Sequence, residues 1–86
     1  MDTPITSAQA FGSRVRAHRK RLNMTQRELA LATNVGERFI VNLEQGKETC
    51  QLGTALRIAK AVGLRLVECG ADRPGGAGGY DLDLSR

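Results

Sequence analysis

Residues 25–47 read TQRELALATNVGERFIVNLEQGK, and the fold turns on how this stretch is parsed. Thr25 followed three residues later by Glu28 is a capping box: the threonine hydroxyl accepts a free N–H in the first helical turn, and the glutamate reaches back to the N–H of Thr25. Leu29, Ala30 and Thr33 carry a short helix forward to Asn34, a residue type that tolerates the left-handed conformation of a sharp turn. Val35 is apolar within that turn and is expected to plug into the core. A second short helix is predicted from about Gly36 to Gln45, with Phe39, Ile40 and Leu43 on its inner stripe and Gly46 just past its end. Glu37, Arg38, Val41 and Asn42 are left on the outside. Two helices crossing steeply over so short a turn leave room only for a small side chain, which Ala30 supplies.

Working outward, Ala8, Phe11, Gly12, Val15, Arg19 and Leu22 recur at helical spacing and predict a preceding helix ending near Asn23, with a capping box opening at Thr6 and closing at Gln9. Downstream, Leu52, Ala55, Leu56, Ala59 and Val62 predict a helix over about 51–62, stopped by Gly63. The period then changes. Residues 64–69, Leu-Arg-Leu-Val-Glu-Cys, read as a short β-strand, which cannot satisfy its backbone alone: either it pairs with its copy in a second subunit, the favoured expectation, or it is an extended tail. From Gly70 the composition shifts to a glycine-rich linker, Pro74 to Gly79, and an acidic, apolar segment, Tyr80-Asp81-Leu82-Asp83-Leu84. The segment reads either as disorder or as a docking motif that orders on a partner. The expected organisation is thus one domain over 6–69 and a flexible tail over 70–86.

Eighty-six residues leave no room for a second domain, and a chain this short has a thin core that oligomerisation commonly reinforces. With only two Phe, one Tyr and no Trp, that core must be aliphatic, which suits short packed helices. The net charge is +4, and residues 1–69 hold 11 Lys or Arg against 6 Asp or Glu. Arg14, Arg16, Arg19, Lys20 and Arg21 fall within eight residues, a cluster that suits a polyanion through counterion release or else a solvated helix face. No apolar run approaches the roughly 20 residues of a membrane span, and no secretory signal is legible at the N-terminus. Cys50 and Cys69 have neither redox nor zinc spacing and read as reduced thiols in a cytoplasm. His18 stands alone, no nucleophile–base pair or phosphate loop is present, and no cofactor or metal is implied. An enzyme is therefore not expected, nor a single-strand binder, which would offer aromatic platforms.

The helix over 36–45, held outward by its neighbours, has the size to enter the major groove of duplex DNA. The motif Thr25-Gln26-Arg27-Glu28-Leu29-Ala30, followed by Val35, Ile40 and Leu43-Glu44-Gln45-Gly46-Lys47, resembles the phage-repressor (Cro and lambda-repressor, XRE) type of helix-turn-helix family over roughly residues 8–64. Within it, Arg38-Phe39-Ile40, Gly46-Lys47 and Leu64-Arg65-Leu66 look most like HipB-type antitoxins, which are dimeric operator-binding repressors paired with a HipA-type kinase toxin. The resemblance implies that Gln26 contacts a phosphate and braces the recognition helix, that Gly36, Glu37, Arg38 and Val41 face bases, and that Asn42 meets the DNA backbone. The chemistry of Arg38 agrees, since its planar fork fits guanine O6 and N7 together. Glu37 can accept from cytosine N4 but opposes nearby phosphates; Gly36 offers an N–H and no side chain; Val41 is either a thymine-methyl contact or simply exposed. Lys47, Arg16 and Arg27 are the candidate phosphate contacts among the remaining bases.

In the resembled fold Arg19 and Glu44 lie together, which implies a partly buried ion pair tying the first helix to the end of the recognition helix. The fold class expected is all-α, a four- to five-helix lambda-repressor-like domain with a C-terminal β-strand pairing across a homodimer. Ile58, Leu64, Leu66 and Val67 are the residues expected near its two-fold axis, the partner being a palindromic operator. The functional reading is a sequence-specific regulator of transcription, a repressor and antitoxin of a HipBA-like operon. A stand-alone phage-type repressor and a protein-interaction adaptor stand beside it.

Overall fold

The structure, a computed structural model, describes residues 4–68. The chain runs through α1 (Ala8–Arg21), α2 (Gln26–Thr33), α3 (Glu37–Glu44) and α4 (Leu52–Ala61), with no strand among the described residues. The expected tail over 70–86, and Cys69, lie outside the described residues.

Each helix stops by one device. Asn23, Asn34, Gly46 and Gly63 follow α1 to α4 with φ of 60°, 59°, 86° and 79°. The next residue then turns its N–H back onto the helix: Met24 to the Arg19 carbonyl, Val35 to Ala30, Lys47 to Asn42 and Leu64 to Ala59, at 2.9–3.2 Å. This is the Schellman arrangement, which uses carbonyls that a helix end would otherwise leave free. At three of the four ends the returning residue is apolar, so Met24 and Val35 pack against the core and Leu64 is buried in it. The turns thus close the core as well as the helices. At the other end of α2 both halves of the capping box are formed, Thr25 Oγ1 accepting from Glu28 N at 3.0 Å and Glu28 Oε1 from Thr25 N at 2.8 Å.

The core is aliphatic. Val15 from α1, Leu29 and Ala30 from α2, Ile40 and Leu43 from α3, and Ala55, Ile58 and Ala59 from α4 are buried together with Val62 and Leu64. Phe11 and Phe39 pack on its margin, half-buried. Gly12 lets α1 sit directly on the end of α3: a Cβ there would collide with the Leu43 carbonyl oxygen and lie 2.9 Å from that of Glu44.

Several expectations need correction. The first helix is capped by Ser7, whose Oγ accepts from Ala10 N at 3.0 Å, not by Thr6; the reciprocal position is then Ala10, which has no side chain to complete a box. That helix ends at Arg21, and Leu22, placed on its inner face, is exposed. On α4, Leu52 and Leu56 point outward although they fall at helical spacing with the core residues. Residues 64–68 form no strand. After Gly63 the Leu64 N–H is spent on the Ala59 carbonyl and its side chain fills the end of the core, which ends the alternation at its first member. Ile58 and Leu64, expected at a contact between copies, are instead 0% and 7% exposed within the chain's own core, whereas Leu66 and Val67 are exposed.

Candidate nucleic-acid interface

Helix α3 has two unlike faces. Ile40, Leu43 and Glu44 are buried, which fixes its roll against α1 and α2. Glu37 and Arg38 are exposed, and Val41 and Asn42 are half-buried on the same outward side. Among the described residues neither Glu37 nor Arg38 has an ion-pair or side-chain hydrogen-bond partner, so both are available to a ligand. Gly36 is the N-cap; no side chain caps the helix there, and the space around its Cα is open. Backbone can therefore approach an anion closely at this end, with a favourable helix dipole behind it.

The other end of α3 is anchored by charge. Arg19 Nε donates to Glu44 Oε2 at 2.7 Å and Arg19 Nη2 to Glu44 Oε1 at 3.1 Å, a bidentate pair whose side chains are 8% and 2% exposed. The third guanidinium nitrogen, Nη1, donates to the Met24 carbonyl at 2.6 Å, in the turn between α1 and α2. Gln26 Nε2 donates to Glu44 Oε1 at 3.2 Å. One carboxylate thus ties together α1, the first residue of α2 and the last residue of α3. Planar bidentate geometry makes such a pair directional as well as strong. Displacing α3 relative to the start of α2 would break it.

The remaining candidates are dispersed. Arg27 is exposed at the start of α2, and Lys47 is exposed in the turn after α3. Lys47 and Asn42 line a shallow depression of about 370 Å³ together with Phe39, Thr49, Cys50 and Gln51. Arg16 is exposed on α1, and no contact brings it to the others. Sequence reasoning missed Thr49 and Gln51 at the edge of this face; their only signal was polarity in a loop directly after Lys47. It also missed the Met24 carbonyl as the third partner of Arg19, a backbone group that no side-chain pattern announces. Arg57 was missed too: its Nη2 donates to the Thr33 carbonyl at 2.9 Å and ties α4 to the end of α2. Among the described residues no group of His, Cys, Asp or Glu could hold a metal ion, and no helix is long and apolar enough to cross a membrane.

A short capped helix, a tight turn and a second helix held outward by a buried ion pair define a helix-turn-helix domain. The helix-turn-helix family model matches residues 15–69, and the chain belongs to that family. A relative in Sinorhizobium fredii, an uncharacterized HTH-type transcriptional regulator called y4mF, is 48% identical over 59 residues, covering 69% of this chain and 78% of its own. An uncharacterized HTH-type transcriptional regulator of Methanothermobacter thermautotrophicus is 43% identical over 54 residues, covering 63% of this chain and 78% of its own. Two solved structures share the fold. A HipB variant in an O2 20mer complex superposes with a TM-score of 0.73 at 23% identity, covering 80% of this chain and 96% of that one. HipB in an O4 20mer complex gives 0.71 at 24% identity, covering 78% and 94%. Family membership makes the chain a helix-turn-helix regulator rather than an enzyme.

Proposed function

We propose that this chain is a transcriptional repressor that reads duplex DNA with the outward face of α3. The observation that carries the reading is the pairing of an exposed Arg38 with a fully anchored helix beneath it: the reading group is free while its platform is fixed through Glu44. Arg38 binds guanine O6 and N7, Glu37 and Val41 read flanking positions, and Gly36 brings backbone close to the DNA. Asn42, Gln26, Arg27 and Lys47 contact phosphates, which position the domain without specifying sequence. Arg16, exposed on α1, is the outlying phosphate candidate. Gln26 keeps its amide on Glu44, so a phosphate held at the start of α2 is coupled mechanically to the recognition helix.

Two copies acting on a palindromic operator supply the affinity that one short helix lacks. Of the residues considered for that contact, Val67 is exposed and lies outside the groove between α1 and α4, so it is left to meet a second copy. The finer reading is an antitoxin partnered with a HipA-like kinase toxin. It is supported by the local resemblance at Arg38-Phe39-Ile40 and Leu64-Arg65-Leu66 and by a fold shared with HipB.

Selection from a random duplex pool tests the DNA reading. The wild-type chain enriches a palindromic motif containing guanine, and Arg38→Ala enriches a motif degenerate at that guanine while melting unchanged. Equal enrichment of the same motif by both chains contradicts direct readout by α3.

A further inference from the structure

An apolar groove of about 250 Å³ runs between the start of α1 and α4, walled by Phe11, Leu43, Cys50, Leu52, Leu56 and Leu66. Leu52, Leu56 and Leu66 are 71%, 42% and 45% exposed, an unusual density of bare leucine for a domain with so small a core. A second depression shares Leu56 and Leu66 with it and carries Lys60 and Arg65. Lys47 also lines the groove, and Glu48 is the one acid among the described residues lining either depression. The whole surface is an aliphatic trough with a basic margin.

A segment that is apolar on one side and acidic on the other complements it in both respects. The chain itself carries the complement. Tyr80-Asp81-Leu82-Asp83-Leu84 alternates apolar and acidic residues with the two-residue period of an extended segment, so that Tyr80, Leu82 and Leu84 share one side and both aspartates the other. The described chain leaves the domain at Glu68, two residues past Leu66 in the wall of the trough. The eleven residues from 69 to 79 include five glycines, and a glycine-rich chain of that length has a root-mean-square reach of about 18 Å. That suffices to return to the trough, and a tether this short presents its end at about millimolar effective concentration.

We propose that residues 80–84 dock in the α1–α4 trough of their own chain, with Tyr80, Leu82 and Leu84 against Leu52, Leu56 and Leu66 and the aspartates toward the basic margin. Since Lys47 belongs both to that margin and to the phosphate contacts proposed above, the docked segment competes with DNA for it; this consequence, unlike the docking, rests on the DNA-binding reading. A segment docked about two-thirds of the time weakens apparent DNA affinity about threefold.

The test uses the full chain and a Leu82→Ser/Leu84→Ser variant, followed by amide chemical shifts and by titration with duplex DNA at low salt. The expected result is a shift difference confined to the amides of Leu52, Leu56, Leu66 and their neighbours, unchanged on about tenfold dilution. The variant binds DNA about threefold more tightly, and Lys47→Ala abolishes that difference. No difference at the trough overturns the docking, and a difference that fades on dilution overturns it in favour of a second copy as the occupant. A concentration-independent difference with unaltered DNA affinity upholds the docking and overturns the role given to Lys47.

Discussion

Replacing Glu44 by alanine removes the acceptor of three hydrogen bonds, two from Arg19 and one from Gln26. The Arg19 guanidinium, 7% exposed as a residue, keeps only the Met24 carbonyl. Breaking one partner of a buried pair costs about 3–5 kcal/mol, because the orphaned charge stays buried. A domain of this size has a total stability of roughly 3–10 kcal/mol, so Glu44→Ala should sit near the folding threshold. At about 5 °C per kcal/mol the melting temperature falls by at least about 15 °C. Thermal melts and urea titrations followed by far-ultraviolet circular dichroism measure both quantities. Glu48→Ala, which removes an exposed carboxylate a few residues away, is the matched control and should change stability by less than about 0.5 kcal/mol. Exchanging both partners for apolar residues, Arg19→Met with Glu44→Leu, should recover most of the loss, since neither charge is then stranded. A Glu44→Ala chain that melts with the control would refute the argument that this pair anchors α3.

Three further substitutions test separate links. Gly12→Ala gains helix propensity of up to about 1 kcal/mol but drives a methyl group into the backbone end of α3, so a net loss of about 2 kcal/mol in urea titration is expected. Thr25→Ala removes half of the capping box and should cost about 1 kcal/mol, with Thr25→Ser restoring it. Lys47→Ala should leave the melt unchanged and lower the slope of log K against log salt by about 0.9 in DNA titrations, the signature of one lost phosphate contact.

The parts of the fold that were legible in the sequence are those set by local chemistry. Thr25 and Glu28 form their box because both partners lie within one turn, and Asn34 and Gly46 end their helices because few residues accept a positive φ. Family resemblance, not spacing, brought Arg19 together with Glu44, two residues 25 positions apart that the structure holds at 2.7 Å. What the sequence left obscure depended on which side of an amphipathic helix is covered. Leu52 and Leu56 obey the same spacing as Ala55, Ile58 and Ala59, but periodicity gives the pattern and not the packing partner, so the small alanines face inward and the leucines outward. The expectation of a strand after Gly63 arose for a related reason. Leu64-Arg65-Leu66 alternates like a strand, while the left-handed Gly63 before it directs Leu64 back onto α4. Gly12 looked like one more position on a helix face, although the close approach of the α3 carbonyls there admits no side chain at all.

Guanine N7 lies in the major groove, where dimethyl sulfate can reach it, and its protection from methylation tests most directly whether α3 lies there with Arg38 on the bases. On the selected duplex, the wild-type chain should shield the guanine of each half-site, and Arg38→Ala should leave that N7 open at concentrations that still saturate the DNA. Equal shielding by both chains would contradict Arg38 as the group on the bases, and an N7 that stays reactive under the wild-type chain would contradict the placement of α3 in the groove.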